Sequence, residues 1–260
     1  MKIVNAASFK PMFIWAVLFA LVVQCQGHDG KKFISTKRLA MTGDAQAQLE
    51  LGLAYWEGHH VPKNEKNALD WIIKSASKGS SKAQFWLGAH FYERGSFQVS
   101  ASYYEKAADA GNVLAQTNLG SMYLNGKGVS KNKDMAFHYF SKAAKRGFAP
   151  SQYYLGYLYA NGFGVGKNDV TAFKWFLRAA EQGFGYAQIS VGKILCSGKG
   201  VPRDLETGYM WLMVAKLQGV PANHKAIADF QKALTPKQLA SAQVRAQNWQ
   251  KKSESQTQSK

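Results

Sequence analysis

One phrase returns along this chain at a nearly constant interval. Residues 119–129 read LGSMYLNGKGV and residues 155–165 read LGYLYANGFGV, an offset of 36. Aligned on the small residue that opens each phrase, Ala47, Ala83, Ala115, Ser151 and Ala187 are separated by 36, 32, 36 and 36 positions. Each is followed by glutamine (Gln48, Gln84, Gln116, Gln152, Gln188) and then by glycine (Gly52, Gly88, Gly120, Gly156, Gly192). An aromatic or leucine comes next, at Tyr55, Phe91, Tyr123, Tyr159 and Leu195. A chain that repeats at this period folds as an array of similar units, each burying its apolar face on its neighbours.

Within each unit apolar residues recur at three and four positions, which is helical spacing, and two such stretches fit between short glycine-containing connections. The leading helix ends at Gly58, Gly126, Gly162 or Gly198, and Asn64, Asn132, Asn168 and Asp204 stand where a trailing helix needs an N-cap. The trailing helix carries Trp71, Tyr103, Tyr139, Trp175 or Trp211 and stops at Gly79, Gly111, Gly147, Gly183 or Gly219. The second unit lacks four residues in its middle loop, around RGSFQVS. Glycine in a helix interior costs about 1 kcal/mol relative to alanine. Its return in register therefore predicts that a neighbouring helix lies almost against the backbone there.

The phrases Ala-Gln, Leu-Gly, Gly-x-Gly-Val and Lys-Ala-Ala, best seen in residues 115–147, resemble the Sel1-like repeats, relatives of the tetratricopeptide repeats. The resemblance covers roughly residues 31–250. It implies an all-α fold, a right-handed α-solenoid of stacked helix-turn-helix repeats, and an adaptor or scaffold role. Exported bacterial members serve in envelope assembly, signalling or host interaction. The expected organisation is a signal peptide (1–27), an N-terminal half-repeat cap (28–43) and five repeats within 44–222 (47–82, 83–114, 115–150, 151–186, 187–222). C-terminal capping helices (223–250) and a disordered tail (251–260) follow. The first unit departs from the pattern with GHHV, where His60 replaces the second glycine, and the second unit has no Gly-x-Gly-Val. The cysteine-rich branch of the family has a disulfide in each repeat; this chain does not have those cysteines, so that feature does not carry over.

Export is read from the start of the chain. Lys2 and Lys10 precede the apolar run Phe13–Val23, and small residues at Cys25 and Gly27 follow, the layout of a secretory signal. An 11-residue run is short of the ~20 needed to span a bilayer, so no transmembrane helix is expected in the mature chain. The expected location is the periplasm. Secretion, or an outer-membrane lipoprotein anchored at Cys25, are the alternatives, although Gln24 is a poor residue ahead of a lipidated cysteine. Cleavage leaves Cys196 as a lone thiol.

The whole chain carries 33 Lys and Arg against 16 Asp and Glu, a net charge of +17. This favours acidic or anionic partners, and export argues against nucleic acid. No catalytic motif, cofactor loop or metal set is found: GKILCSGKG (192–200) belongs to the repeat phrase, and adjacent His59 and His60 rarely aim at one ion. Helical indexing places Trp56, Phe85, Tyr92, Tyr153, Tyr157 and Lys193 on the face opposite the shared core positions, which lines the concave surface of related solenoids. Aromatics there either anchor a protein or peptide partner or fill the inner side of a tightly curled array. A second series, Lys74, Lys106, Lys142 and Arg178, forms a basic row that either attracts a polyanion or lays its methylenes over apolar neighbours. The expectation is a non-enzymatic scaffold binding a protein or peptide; the alternative is a binder of anionic polysaccharide or membrane surface, and an enzyme is the last reading.

Overall fold

The computed structural model describes residues 30–221 and 224–258, so the signal read over 1–27, Cys25 included, lies outside the described residues. Thirteen α-helices and no strand occur among them. They belong to two compact units that divide between Asn132 and Lys133. The first unit contains α1 (Gly30–Met41), α2 (Ala45–Glu57), α3 (Glu65–Ser77), α4 (Ser81–Glu93), α5 (Phe97–Asp109) and α6 (Val113–Asn125). The second contains α7 (Lys133–Lys145), α8 (Ala149–Asn161), α9 (Asp169–Glu181), α10 (Gly185–Ser197), α11 (Leu205–Leu217), α12 (His224–Lys232) and α13 (Pro236–Gln258). Within each unit the helices up to α11 pack chiefly on their neighbours in sequence, and α12 and α13 both pack on α11.

The repeated phrase now has a physical account. Leading helices α2, α6, α8 and α10 close on left-handed glycines, such as Gly126 at φ 70°, a conformation that carries no Cβ penalty at glycine. Asn64, Asn168 and Asp204 cap trailing helices by accepting from the amides of Asn67, Thr171 and Thr207 at 2.8–2.9 Å. The glutamine of each Ala-Gln phrase is buried and donates to the last-turn carbonyl of the helix before it. Gln48 reaches Ala40, Gln84 Ala76, Gln116 Ala108, Gln152 Ala144 and Gln188 Ala180, at 3.0–3.3 Å. Each of these carbonyls also accepts the amide of the helix-ending glycine three residues on, so the glutamine supplies a second bond at the same oxygen and ties consecutive repeats together.

At the interior glycines the close neighbour is the trailing helix of the same hairpin. A methyl at Gly52 would stand 2.5 Å from Ile72 Cγ1 and 3.0 Å from the Ala68 carbonyl; at Gly192 it would meet Leu212 and the Gly208 carbonyl at 2.7 and 2.8 Å. At Gly88 and Gly156 the neighbour is a ring, Tyr104 at 2.5 Å and Phe176 at 2.9 Å. Glycine thus serves two needs, close backbone approach and room for a buried aromatic. Burial pushes the Tyr104 phenol far above its ordinary range.

At the C-terminus α13 continues through Gln258, into the stretch read as a disordered tail (251–260). KKSESQTQ contains neither glycine nor proline to stop a helix that is already nucleated.

Candidate interaction surface

The six residues assigned to the concave face do not share one environment. Phe85 and Tyr153 are 2% and 4% exposed, which corrects their assignment as partner contacts. Their register position lies inside the hairpin packing, where Phe85 meets Tyr104 at 5.7 Å and Tyr153 meets Phe176 and Phe184 at 5.5 and 5.3 Å. Burial pushes the Tyr153 phenol up to about 12. The leading helices are covered on more sides than a one-faced helix would be, so indexing a single polar face could not separate these rings from solvent-facing ones.

Trp56, Tyr92, Tyr157 and Lys193 are half-buried. Trp56 sets its edge on Trp86 at 4.9 Å and on His90 at 5.3 Å. His90 stacks on Trp86 at 5.1 Å, and Arg94 Nη1 lies 2.8 Å from its Nδ1. Burial, reinforced by the Arg94 cation, lowers the His90 pKa to about 4. Burial also lowers the Lys193 ammonium and raises the Tyr157 phenol.

Two of these residues belong to ring and cation clusters that recur, one in each unit. In the first, Lys127 Nζ sits 4.3 Å from the Tyr92 ring and 4.1 Å from the Phe97 ring, and those two rings meet edge to face at 5.2 Å. In the second, Lys133 Nζ sits 3.9 Å from the Phe163 ring, which meets Tyr157 at 5.9 Å. Lys127 and Phe163 are the middle residues of Gly-x-Gly loops, while Phe97 and Lys133 are the first residues of trailing helices, in both cases 30 positions earlier. Lys199 and Asp169 complete the set as an ion pair of 3.4 Å. The sequence reading missed these residues, yet the fixed offset with exchange of ring and cation was a usable signal.

The basic row is exposed throughout, and each cation covers the ring three residues earlier. Lys74 stands 4.3 Å from Trp71, Lys106 5.6 Å from Tyr103, Lys142 5.9 Å from Tyr139 and Arg178 4.6 Å from Trp175. Such contacts contribute about 0.5–1 kcal/mol at exposed sites. In the fifth repeat Val214 replaces the cation, and Trp249 of α13 packs on Trp211 at 5.8 Å instead.

Around GHHV, His60 adopts φ 61° and stacks on Phe33 at 5.3 Å. His59 Nε2 is 3.3 Å from Glu57 Oε2, and burial raises the Glu57 carboxyl. No group of three or more His, Cys, Asp or Glu is placed to hold a metal ion among the described residues.

The sequence profile described as Sel1 repeat matches residues 45–80, 81–112, 113–148, 149–184 and 185–220. The chain belongs to the Sel1-repeat family. Each Sel1 unit so defined begins at the first residue of a leading helix, two positions before the alanine or serine that opens the repeated phrase. Sel1 relatives include the sel1-like repeat-containing protein L21 of Acanthamoeba polyphaga mimivirus, 33% identical over 34% of this chain and 16% of that protein. Among solved structures, a protective antigen of uropathogenic Escherichia coli displaying an SLR fold superposes with a TM-score of 0.73 at 32% identity. That match covers 84% of this chain and 48% of the antigen. A Sel1 repeat protein from Oxalobacter formigenes follows at TM-score 0.66 and 26% identity, over 73% of this chain and 85% of that one. The chain therefore spans less than half the length of the first two. The Sel1 fold is an α-solenoid of a kind typical of protein–protein interaction scaffolds, and the family is generally non-enzymatic.

Proposed function

We propose that this chain is an exported scaffold that binds a protein or peptide at the loop-side clusters of its hairpins, in an envelope, signalling or host-interaction role. The observation that carries this reading is the recurrence of half-buried rings with a lysine laid on them, Tyr92, Phe97 and Lys127 in one unit and Tyr157, Phe163 and Lys133 in the other. Tyrosine and phenylalanine offer large contact area at low entropy cost, and a ring partly open to solvent retains surface for a partner. The export signal in the sequence supports a periplasmic location. Affinity capture from an envelope extract should retain a defined protein on wild type and lose it on a Tyr92→Ser/Tyr157→Ser variant of unchanged circular dichroism. Equal retention by both would overturn the reading.

A second reading rests on the exposed cations Lys74, Lys106, Lys142 and Arg178. Reversing these four charges should abolish retention on an anionic polysaccharide resin if a polymer is the partner, and wild-type retention should fall steeply with salt. Retention insensitive to both changes would count against it.

A further inference from the structure

Helix α1 differs from the trailing helices of the first four repeats on the side turned away from the core. Counting back one repeat from Asp70 and Ser77 gives Ile34 and Met41. The same two register positions hold Ser102 and Asp109, His138 and Lys145, and Lys174 and Glu181 in the following repeats, all polar and exposed. They become apolar again only in the fifth repeat, as Met210 and Leu217. There α13 packs on α11, leaving Met210 7% and Leu217 42% exposed, whereas Ile34 is 69% and Met41 65% exposed.

The residues around this pair define what covers it. At 100° per residue, Ile34 and Met41 lie within about 20° of one another. Lys37 lies on one side of them, Arg38 and Lys31 on the other, all three exposed. With Lys32, α1 carries four cations and no acid in 12 residues. The α11 face that seats α13 runs Met210, Val214 and Leu217 beside Trp211. Helix α1 has Arg38 at the Val214 position, so its stripe is interrupted where a partner helix needs an apolar residue at i+4. An apolar centre flanked on both sides by long cationic side chains instead suits a surface where methylenes enter the acyl boundary and charged heads meet phosphates.

We propose that α1 is an interfacial helix that docks this end of the first unit on an anionic lipid bilayer. Ile34 and Met41 enter the headgroup boundary, and Lys31, Lys37 and Arg38 contact lipid phosphates. The proposal does not depend on capture of a protein at the ring clusters.

The test uses the full chain in a Cys25→Ser background, with an environment-sensitive fluorophore on Ile34→Cys or, as control, on Ser102→Cys, the equivalent outward position of the second repeat. Vesicles of phosphatidylglycerol and phosphatidylcholine containing brominated acyl chains should quench the label at 34 and leave that at 102 unchanged. Because the readout is local, contact made by residues 13–23 does not mimic it. A Lys31→Gln/Lys37→Gln/Arg38→Gln variant should lose about a hundredfold in partitioning, since each cation near an anionic surface contributes about 1 kcal/mol, and 0.5 M salt should act in the same direction. Equal quenching at 34 and 102, no quenching at 34, or equal quenching by purely zwitterionic vesicles would each overturn the proposal. So would a concentration-dependent shift of the label at 34 without vesicles, the mark of a second copy, or full protection of that label by dextran sulfate with no response to lipid, the mark of a polymer.

Discussion

The leading helices of the two units start by different means. In the first unit Asp44, Ser80 and Asn112 accept hydrogen bonds from the amides of Ala47, Ala83 and Ala115 at 2.7, 3.3 and 3.0 Å. In the second, Phe148 and Phe184 occupy the same position and offer no side-chain acceptor. Pro150 in the first turn of α8 removes one of the amides that would need a partner. Phe184 substitutes packing for capping, lying 5.3 Å from Tyr153 and 6.0 Å from Tyr186. The same hairpin can therefore be entered through a polar cap or through an aromatic cluster, and the two solutions have different energetic signatures.

A pH titration separates the units most strongly. His90 belongs to the first unit, and the matching positions of the second, Leu158 and Ile194, cannot titrate. Its pKa falls from 6.5 in the unfolded chain to about 4 in the folded one. Above pH 6.5 both states are neutral and its contribution is complete. As pH falls toward 4 the unfolded chain takes up a proton that the folded chain refuses, so stability is lost, by at most about 3 kcal/mol. Hydrogen exchange followed by mass spectrometry should show α4 and its neighbours loosening first between pH 6.5 and 4. Parallel loosening of both units, or no flattening in His90→Gln, would remove this distinction.

Phe184→Ala comes next, with a loss of about 2 kcal/mol in urea unfolding, less than a fully buried phenylalanine because the ring is half-buried. Asn112→Ala should cost about 1 kcal/mol, the ordinary worth of an N-cap. If Phe184→Asn recovers most of the loss from Phe184→Ala, capping outweighs ring packing in the second unit as well. The smallest effect is expected at His60. His60→Gly removes the strain of a left-handed non-glycine residue but also the stack on Phe33, so thermal unfolding should move by only a few tenths of a kcal/mol. A shift of 2 kcal/mol either way would show that one of those two contributions has been misjudged.

The hairpins were legible because helix period, interior glycine and terminal glycine each repeat in register. Gln48 and its four equivalents marked the repeat as well, but their role as the tie to the preceding helix was visible only in the structure. Which aromatics face solvent was not legible. Phe85 and Tyr92 sit seven residues apart on nearly the same side of α4, yet Tyr104 buries the first, and Lys127 with Phe97 only half-covers the second. That outcome depends on residues far along the chain, which a single-helix projection does not contain. The ring under each basic-row cation was within reach, since Trp71 and Lys74 are one helical turn apart.

The loop-to-helix pairs 30 residues apart also govern how this array could change its length. Lys127 on Phe97, Phe163 under Lys133 and Lys199 beside Asp169 are three different joints, so neighbouring repeats are not interchangeable modules. Excising residues 151–186 would bring Lys199 onto Lys133 and set two like charges at the splice, whereas inserting a copy of that repeat after itself would bring Phe163 onto Asp169. Duplication or loss of a repeat in such a chain leaves a mismatched joint at the new seam, at a cost of up to about 1 kcal/mol, and the present order of repeats is thereby written into its own edges.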